Sequence, residues 1–438
     1  MKKAMVFGAG LSGQGAVKLL KKNYYDVILT DDKLGIPSKD AMNLLNDISL
    51  FVKSPGAPYN SLVLKAKEKN IPILDEVQLA YDYMVNNNYT TKIIAITGTN
   101  GKTTVTTKIT ELLNYSGLKA KYAGNIGVSF GELVLENKDL DYIVLELSSF
   151  QLENLTTFKP HIALIVNLTP DHLERYSSLE EYYSTKSNIC KNQDENNIFI
   201  LNKDSKEINN LIKKKNLMLN GSIFTVSKKS DKADVFINNN FIQNKSENIL
   251  SCNDVTLKGE HNLENILFIV AVAKLLGISD KNIQNFLYTT DNIEHRMENF
   301  YQYKNITFIN DSKGTNIDSS KYAIEAFDNC ILICGGHDKK SDWKSFVDII
   351  VKNNLKEVYL IGEIASILET LLLKENFPKE KIHLLGNIKD SLLDIKSHAN
   401  PLEEQVILLS PATSSYDQFK NFVERGEVFK KLVREIFV

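Results

Sequence analysis

Short, continuously apolar runs alternate with amphipathic stretches from one end of the chain to the other. They include KAMVF (3–7), DVILT (26–30), KIIAIT (92–97), DYIVLEL (141–147) and HIALIVNL (161–168). Later come ITFIND (306–311), CILICGG (330–336), EVYLIG (357–362), KIHLLG (381–386) and QVILLS (405–410). Unbroken Val/Ile/Leu runs suit strands buried on both faces, and helical patterns of ten to sixteen residues separate many of them. Together they predict an α/β protein built on parallel sheets that helices cover on both sides.

At about 100–200 residues per domain, 438 residues lead to an expectation of three domains. Two seams divide the chain: the polar, Asn-rich MVNNNYTTK (84–92), read as flexible, and YTTDNIEHR (288–296), a hinge candidate. The expected domains are therefore 1–91, 92–292 and 293–438. The first and last read as Rossmann-like. The central one reads as a phosphate-loop ATPase-type α/β domain, with a small β-rich extension over 191–258.

A chain that is 43% hydrophobic and 24% charged, with 9 Pro and 21 Gly, is neither mainly disordered nor collagen-like. Lys+Arg 52 against Asp+Glu 54 leaves a net charge of −2, so there is no broad field for nucleic acid or anionic membranes. Any anion must be held by local geometry. The longest apolar run, Ile266–Ala273, is far short of the roughly 18–20 residues that span a bilayer and reads as a helix core. The N-terminus imitates a signal peptide for eight residues, until Ser12, Gly13 and Gln14 break the apolar stretch. Cys190, Cys252, Cys330 and Cys334 form no CxxC pair and are expected to be buried free thiols, which fits a reducing, cytoplasmic compartment.

Two glycine loops carry the chemistry. In KAMVFGAGLSGQG, Gly8, Gly10 and Gly13 follow a strand and open a helix. Gly8 is expected to permit the turn, Gly10 the approach of a diphosphate, and Gly13 close helix–strand packing. Asp31 and Asp32 end the second strand, where a carboxylate meets a ribose hydroxyl or a base N–H. KSPGAP (53–58) supplies a further turn at the same sheet edge. NAD is the default ligand of such a fingerprint, which keeps a dehydrogenase open at this point.

The second loop, KIIAITGTNGKTTVTTKIT, is phosphate-loop chemistry. Backbone N–H groups cradle phosphate oxygens, Lys102 reaches the β- and γ-phosphates, and the Thr103 hydroxyl coordinates Mg²⁺. The loop is tighter than GxxxxGK[ST], because Ile96 stands where that pattern has its first Gly. Glu146 ends a very apolar strand, a position that favours a metal ligand, and the next strand runs into Asn167, Asp171 and His172. Lys186 lies in a helical stretch and on periodicity alone reads as solvated.

TGTNGKTT, ELSSFQLE and NLTPDHLERY, in that order, resemble the Mur ligases and their folylpolyglutamate synthetase relatives. KGEHNLENI, EHR, NDSKGTN, CGGHDKKSDW and LLSPATSSYDQFKNFVERG, with GAGLSGQG and SPGAP, extend the resemblance over essentially the whole chain. The resemblance implies three α/β domains, for a UDP-sugar, ATP and an incoming amino acid. It further implies an ATP-dependent amide-bond ligase that adds D-glutamate to UDP-N-acetylmuramoyl-L-alanine through an acyl phosphate, releasing ADP and phosphate. Such an enzyme serves cytoplasmic peptidoglycan precursor synthesis, and through it cell-wall biogenesis, cell shape and division. A monomer is expected, with no nucleic-acid or membrane partner.

By the same resemblance, Gly10, Leu11, Ser12, Gly13, Asp31, Asp32, Ser54, Pro55, Gly56 and Asn125 surround the UDP-substrate. ATP falls to Gly98, Thr99, Asn100, Gly101, Lys102, Thr103 and Thr104, with Asn262, Asn265, Arg296 and Asp311. D-glutamate is expected at His172, Lys313, Thr315, Lys339, Ser415 and Phe422. Two Mg²⁺ sites are implied at Thr103, Glu146, His172 and Lys186, the lysine N-carbamylated. Lys102, Glu146, His172, Lys186 and Arg296 form the implied catalytic set, Arg296 stabilising the transferring phosphoryl group. The choices between Asp31 and Asp32 at uridine, and between Lys339 and Lys340 at the amino acid, stay open.

Overall fold

The computed structural model describes residues 2–171, 175–214, 221–245, 247–257, 259–290 and 293–438. The chain forms two units, Met1–Thr289 and Thr290–Val438, dividing inside the second sequence seam.

The first unit contains two sheets. Strands β1 (Lys3–Phe7), β2 (Asp26–Thr30), β3 (Ile48–Lys53) and β4 (Ile73–Leu74) form a parallel sheet in the order β2-β1-β3-β4. The second sheet takes β5 (Lys92–Thr97), β6 (Ala120–Gly124), β7 (Tyr142–Glu146), β8 (Ile162–Ile165) and β9 (Ile198–Asn202). It continues with β10 (Ser222–Ser227), β11 (Val235–Asn238), β12 (Phe241–Asn244) and β13 (Glu247–Ser251). Its order is β13-β12-β11-β10-β9-β8-β5-β7-β6, parallel from β6 to β11, while β11, β12 and β13 pair antiparallel. The β-rich extension expected over 191–258 is thus an outward growth of this sheet. Neighbouring residues of β5 face opposite ways. Ile94 and Ile96 join the core under the helix Glu260–Leu275, and Ile93 and Ala95 join a core shared with Ala4, Val6 and Val52 of the first sheet. The run Ile266–Ala273 lies buried in that helix, as its length predicted, and no described helix is long and apolar enough to cross a membrane.

The second unit is one sheet: β14 (Glu298–Tyr303), β15 (Ile306–Asn310), β16 (Ile331–Gly335), β17 (Glu357–Ile361), β18 (Ile382–Gly386) and β19 (Gln405–Leu409). Its order is β14-β15-β19-β16-β17-β18, parallel except for the antiparallel pairing of β14 with β15. Cys330, Leu332 and Cys334 enter one core and Ile331 and Ile333 the other, so strand alternation places both thiols on one face. All four cysteines are buried and unpaired.

The stretch 84–92, read in sequence as a flexible seam, is anchored. Met84 is buried in the core shared by the two sheets, and the Tyr89 hydroxyl donates to the Val134 carbonyl at 2.7 Å. Small residues make this junction possible. A Cβ on Gly15 of the helix Leu11–Lys22 would overlap the Ser129 hydroxyl, and one on Gly131 of the helix Phe130–Glu136 would lie 2.6 Å from Leu19. Phe130 is fully buried here, where truncation to alanine costs about 3–5 kcal/mol.

Glu76 is also fully buried in this junction. It begins the helix Glu76–Asn86 and accepts from the Gly131 N–H, while its other oxygen has no hydrogen-bond partner among the described residues. Burial pushes its carboxyl up to about 7 from an ordinary 4.5, so the folded state favours the neutral acid. The stability this confers is complete below pH 4.5 and is lost as pH rises through about 7. Glu76→Gln removes the titration and keeps an acceptor for Gly131. Urea unfolding followed by circular dichroism should show the variant gaining on the wild type by about 3 kcal/mol between those limits, then staying level. A difference independent of pH would place the titration elsewhere.

Candidate active site

Most of the predicted site residues sit just past the carboxyl ends of three adjacent parallel strands in each sheet; Asn125 follows β6, Lys186, Asn262 and Asn265 lie in helices, and Arg296 precedes β14. The strands are β2, β1 and β3 in the first sheet, β8, β5 and β7 in the second, and β15, β19 and β16 in the third. Ligands bind at that edge in open α/β sheets.

At the first edge lies a cleft of about 490 Å³. Gly10, Leu11, Ser12, Asp31, Asp32, Ser54, Pro55, Gly56 and Asn125 all line it, and Lys33, Gly124 and Gln151, which the sequence reading missed, join them. The three glycines differ as their spacing predicts. Gly8 has φ +105°, a Cβ on Gly10 would meet nothing within 4 Å, and one on Gly13 would overlap the Gly8 carbonyl. Gly13 therefore lies beneath the cleft and does not line it. The two aspartates separate in role. Asp31 accepts from Ala9 N at 2.8 Å through one oxygen and from Lys33 N and Leu34 N at 2.8 and 3.0 Å through the other. These N–H groups, that of Ala9 first, hold its carboxyl below the ordinary range. Asp32 accepts from Ser38 N at 2.8 Å.

Behind the cleft, Lys53 is buried under Ser54, and burial, aided by Arg175, lowers its ammonium to about 8. Glu153 lies 3.9 Å from it and binds the Arg175 guanidinium in a fork at 3.1 and 2.9 Å. This ion network fastens the stretch after β8 to the wall of the cleft.

At the second edge the backbone makes the cradle. Gly98 and Gly101 hold φ of +151° and +81°. Thr99 N donates to the Asn167 carbonyl at 3.0 Å and Asn100 N to the Asn167 side chain at 2.9 Å. This bracing explains why β8 ends at Ile165, three residues before its apolar run does. The Lys102 ammonium is held over the loop by the Gly98 and Thr99 carbonyls at 2.9 and 2.8 Å. Thr103 and Thr104 lie in the first turn of the helix Lys102–Tyr115, whose N-terminus favours an anion. Asn265 presses its side-chain oxygen against Gly101, where a Cβ would overlap it, and donates to Asn262 at 3.1 Å. Asn265 thereby reaches the loop, and Asn262 is tied to it through Asn265.

Glu146 is 1% exposed. One of its oxygens accepts from the Asn125 amide at 2.8 Å, and the other is buried without a hydrogen-bond partner among the described residues. Such an orphaned carboxylate oxygen, with the Thr103 hydroxyl at the helix start, fits a hard divalent cation that takes oxygen ligands. Lys186, solvated by periodicity, is in fact fully buried and donates to the Gly98 carbonyl at 2.9 Å. Burial, and then the charge of Lys102, lower its pKa well below the ordinary value. His172 lies outside the described residues.

In the second unit, Lys313 meets Phe422 and Lys339 meets Thr315, while Ser415 is buried and its carbonyl accepts from Gln418 N and Phe419 N. The Lys313 ammonium sits 5.2 Å from the centre of the Phe422 ring, and Lys339 donates to the Thr315 carbonyl at 3.2 Å. Lys340 is exposed with φ +53°. Asp311 is buried and accepts from Ser410 Oγ at 2.8 Å; burial raises its carboxyl to about 6, against the pull of Arg296.

The sequence reading missed Arg425, the largest fully buried side chain. It donates to Ser312 Oγ, the Ser312 carbonyl and the Thr413 carbonyl at 3.1, 2.9 and 3.0 Å, tying together two of the loops that carry these residues. Its signal was present: Arg425, Phe429 and Val433 share one helical stripe, and all are buried. The acids around His295 are different. Glu298 and Glu427 converge on the Lys430 ammonium at 3.3 and 2.8 Å, which makes them an ion-pair network.

A family model for the Mur ligase middle domain matches residues 96–273. The UDP-N-acetylmuramoylalanine–D-glutamate ligase of Fusobacterium nucleatum subsp. nucleatum is 51% identical over 437 residues, covering 100% of each chain. The chain belongs to the Mur ligase family. The ligase of the same name from Natranaerobius thermophilus is 36% identical over 464 residues, covering 98% of this chain and 97% of its own. Among solved structures, the UDP-N-acetylmuramate-alanine ligase of Thermotoga maritima shares the fold with a TM-score of 0.62, 17% identity and 99% of each chain covered.

The family's phosphate loop depends here on Gly101. Gly101→Ala forces a side chain into the left-handed region, at about 1–2 kcal/mol, and pushes the loop away from Asn265. Calorimetric titration should show nucleoside triphosphate bound about tenfold more weakly or worse. Unchanged affinity would remove Gly101 from the cradle.

Proposed function

We propose that this protein joins D-glutamate to UDP-N-acetylmuramoyl-L-alanine at the expense of ATP, releasing ADP and phosphate, as a cytoplasmic monomer in peptidoglycan precursor synthesis. The observation that carries the reading is the full-length match to a ligase of that name, with both glycine loops keeping working geometry within it. In this reading residues 1–91 take the UDP end, 92–292 take ATP, and 293–438 take the amino acid.

A carboxylate does not acylate an amine in neutral water, because oxide is the leaving group. Transfer of the γ-phosphoryl group to the alanyl carboxylate makes an acyl phosphate. The D-glutamate amine then attacks the carbonyl, and the tetrahedral intermediate expels phosphate. The chain's own part is to bring anions together and align them. Lys102 and the helix N-terminus behind it neutralise the β- and γ-phosphates, and Asn262 and Asn265 keep the loop in place. Bound Mg²⁺ would supply further charge neutralisation, held by Thr103 and Glu146 at one site and by His172 and Lys186 at a second. A lysine that burial keeps neutral can add to CO₂, losing a proton and becoming a carbamate, which is an oxygen ligand; the burial of Lys186 favours this. Arg296 would face the transferring phosphoryl group and Asp311 the nucleotide. Lys313, Thr315, Ser415 and Phe422 receive D-glutamate with Lys339, whose reach to Thr315 favours it over the exposed Lys340.

The test is phosphate release from ATP and Mg²⁺ with UDP-N-acetylmuramoyl-L-alanine, in the presence of D-glutamate, L-glutamate, glycine or meso-diaminopimelate. Release that depends on D-glutamate is expected, and release with another acceptor would move the protein to a sister step. Lys102→Ala should lose at least about 10²–10³ in kcat with an unchanged circular-dichroism spectrum. Near-normal turnover in that variant would sink the phosphate-loop assignment.

A further inference from the structure

Asn125 touches two sites at once. It follows β6, is exposed, and lines the cleft of the first sheet edge. Its side-chain amide donates to the buried Glu146 carboxylate at 2.8 Å. Among the described residues no other side chain lining that cleft makes such a contact with Glu146. We propose that Asn125 is the positioning residue for the cation site, setting the rotation of the Glu146 carboxylate so that its second oxygen is presented to the ion. The inference rests on the proposed function only in taking Glu146 as a metal ligand.

The backbone leaves Asn125 little choice. Gly124 pairs with Glu146 across β6 and β7, and Asn125 N donates to the Glu146 carbonyl at 2.8 Å. Gly124, at φ +105°, has no Cβ, and one would overlap that same carbonyl. Both ends of the contact are therefore fixed by the main chain. An ionised carboxylate only accepts hydrogen bonds, so the Asn125 nitrogen must face Glu146 and its carbonyl oxygen must point away. The last torsion of a glutamate is broad, with no deep rotamer well of its own. One hydrogen bond at one oxygen is thus enough to select the orientation in which the other, without a hydrogen-bond partner among the described residues, is offered. Losing a residue that orients a metal ligand typically weakens the metal by about 10–100-fold.

The experiment is Mn²⁺ titration of the full-length protein by electron paramagnetic resonance, with a non-hydrolysable ATP analogue present and no nucleotide sugar. Asn125→Ala should weaken Mn²⁺ about 10–100-fold, and Asn125→Ser, which keeps a short donor, should fall between it and the wild type. Affinity within twofold of the wild type in both folded variants would overturn the proposal and leave Asn125 as a wall of the cleft. Glu146→Gln serves as the control. If it leaves Mn²⁺ affinity unchanged, Glu146 is not a ligand, and the metal assignment fails together with the proposal. Because no UDP-sugar or amino acid is added, the result does not depend on which substrate the enzyme joins.

Discussion

Parallel winding governs this molecule. When each strand is followed by a helix that returns to the starting edge, every loop that leaves a strand emerges on the same side. Three sheets repeat that delivery, each offering the ends of three adjacent strands: β2-β1-β3, β8-β5-β7 and β15-β19-β16. The binding chemistry is therefore not spread over the surface. It is confined to short stretches whose backbone must approach a ligand or a neighbouring strand closely, and there glycines hold positive φ at Gly8, Gly98, Gly101, Gly124, Gly335 and Gly336. The strands beneath them need only be apolar on both faces.

Polar groups buried in such a framework fall into two kinds, separated by what they bind. Arg425 donates through Nε and Nη2 to two carbonyls and a hydroxyl, and Glu76 accepts a single N–H. These contacts fasten loops and helices that regular secondary structure leaves unfastened. Removing either partner strands the other, which is why such groups are costly to mutate without being catalytic. Glu146 is the second kind: like Glu76 it keeps one oxygen without a hydrogen-bond partner among the described residues, but that oxygen belongs to a strand end beside the phosphate loop. A buried oxygen left without a donor at a strand end is expensive unless something else completes it.

Much of the architecture was legible because strands buried on both faces need unbroken apolar runs. All ten of those runs reappear as strands, nine of them shifted by no more than a residue at either end. The exception, β8, stops early because Asn167 leaves the ladder to brace the phosphate loop, a tertiary demand that apolarity does not record. The stretch 84–92 looked flexible because composition reports solvent preference and not anchoring; the buried Met84 and the half-buried Tyr89, with its hydroxyl bond, suffice to fix it. At the sites, residue types and spacing identified the loops but not the division of labour within them. Nothing in Asp31-Asp32 reveals that Asp31 commits both oxygens to backbone N–H groups, since those groups come from β1 and from its own turn. Periodicity likewise placed Lys186 in solvent, whereas the neighbouring glycine loop, distant in sequence, covers it.

Charge gives that burial its meaning. A chain of net charge −2 has no global field with which to gather phosphates and carboxylates, so each anion must meet its own local cation or helix end. Around the phosphate loop this puts two lysines close enough that Lys102 adds to the burial that lowers the pKa of Lys186. Burial first, and the like charge of Lys102 second, make the charged form of Lys186 costly and lower its pKa. Under the proposed function, that shift is useful. A lowered pKa weakens the repulsion between Lys186 and a divalent cation, and conversion of the lysine to a carbamate would turn a repelling group into a ligand of opposite charge. Lys102, held over the loop by Gly98 and Thr99, then carries the positive charge nearest the phosphates. The same carbonyl, that of Gly98, accepts from both lysines. The loop that would cradle the phosphates thus also sets how far apart their two neighbouring amines can be.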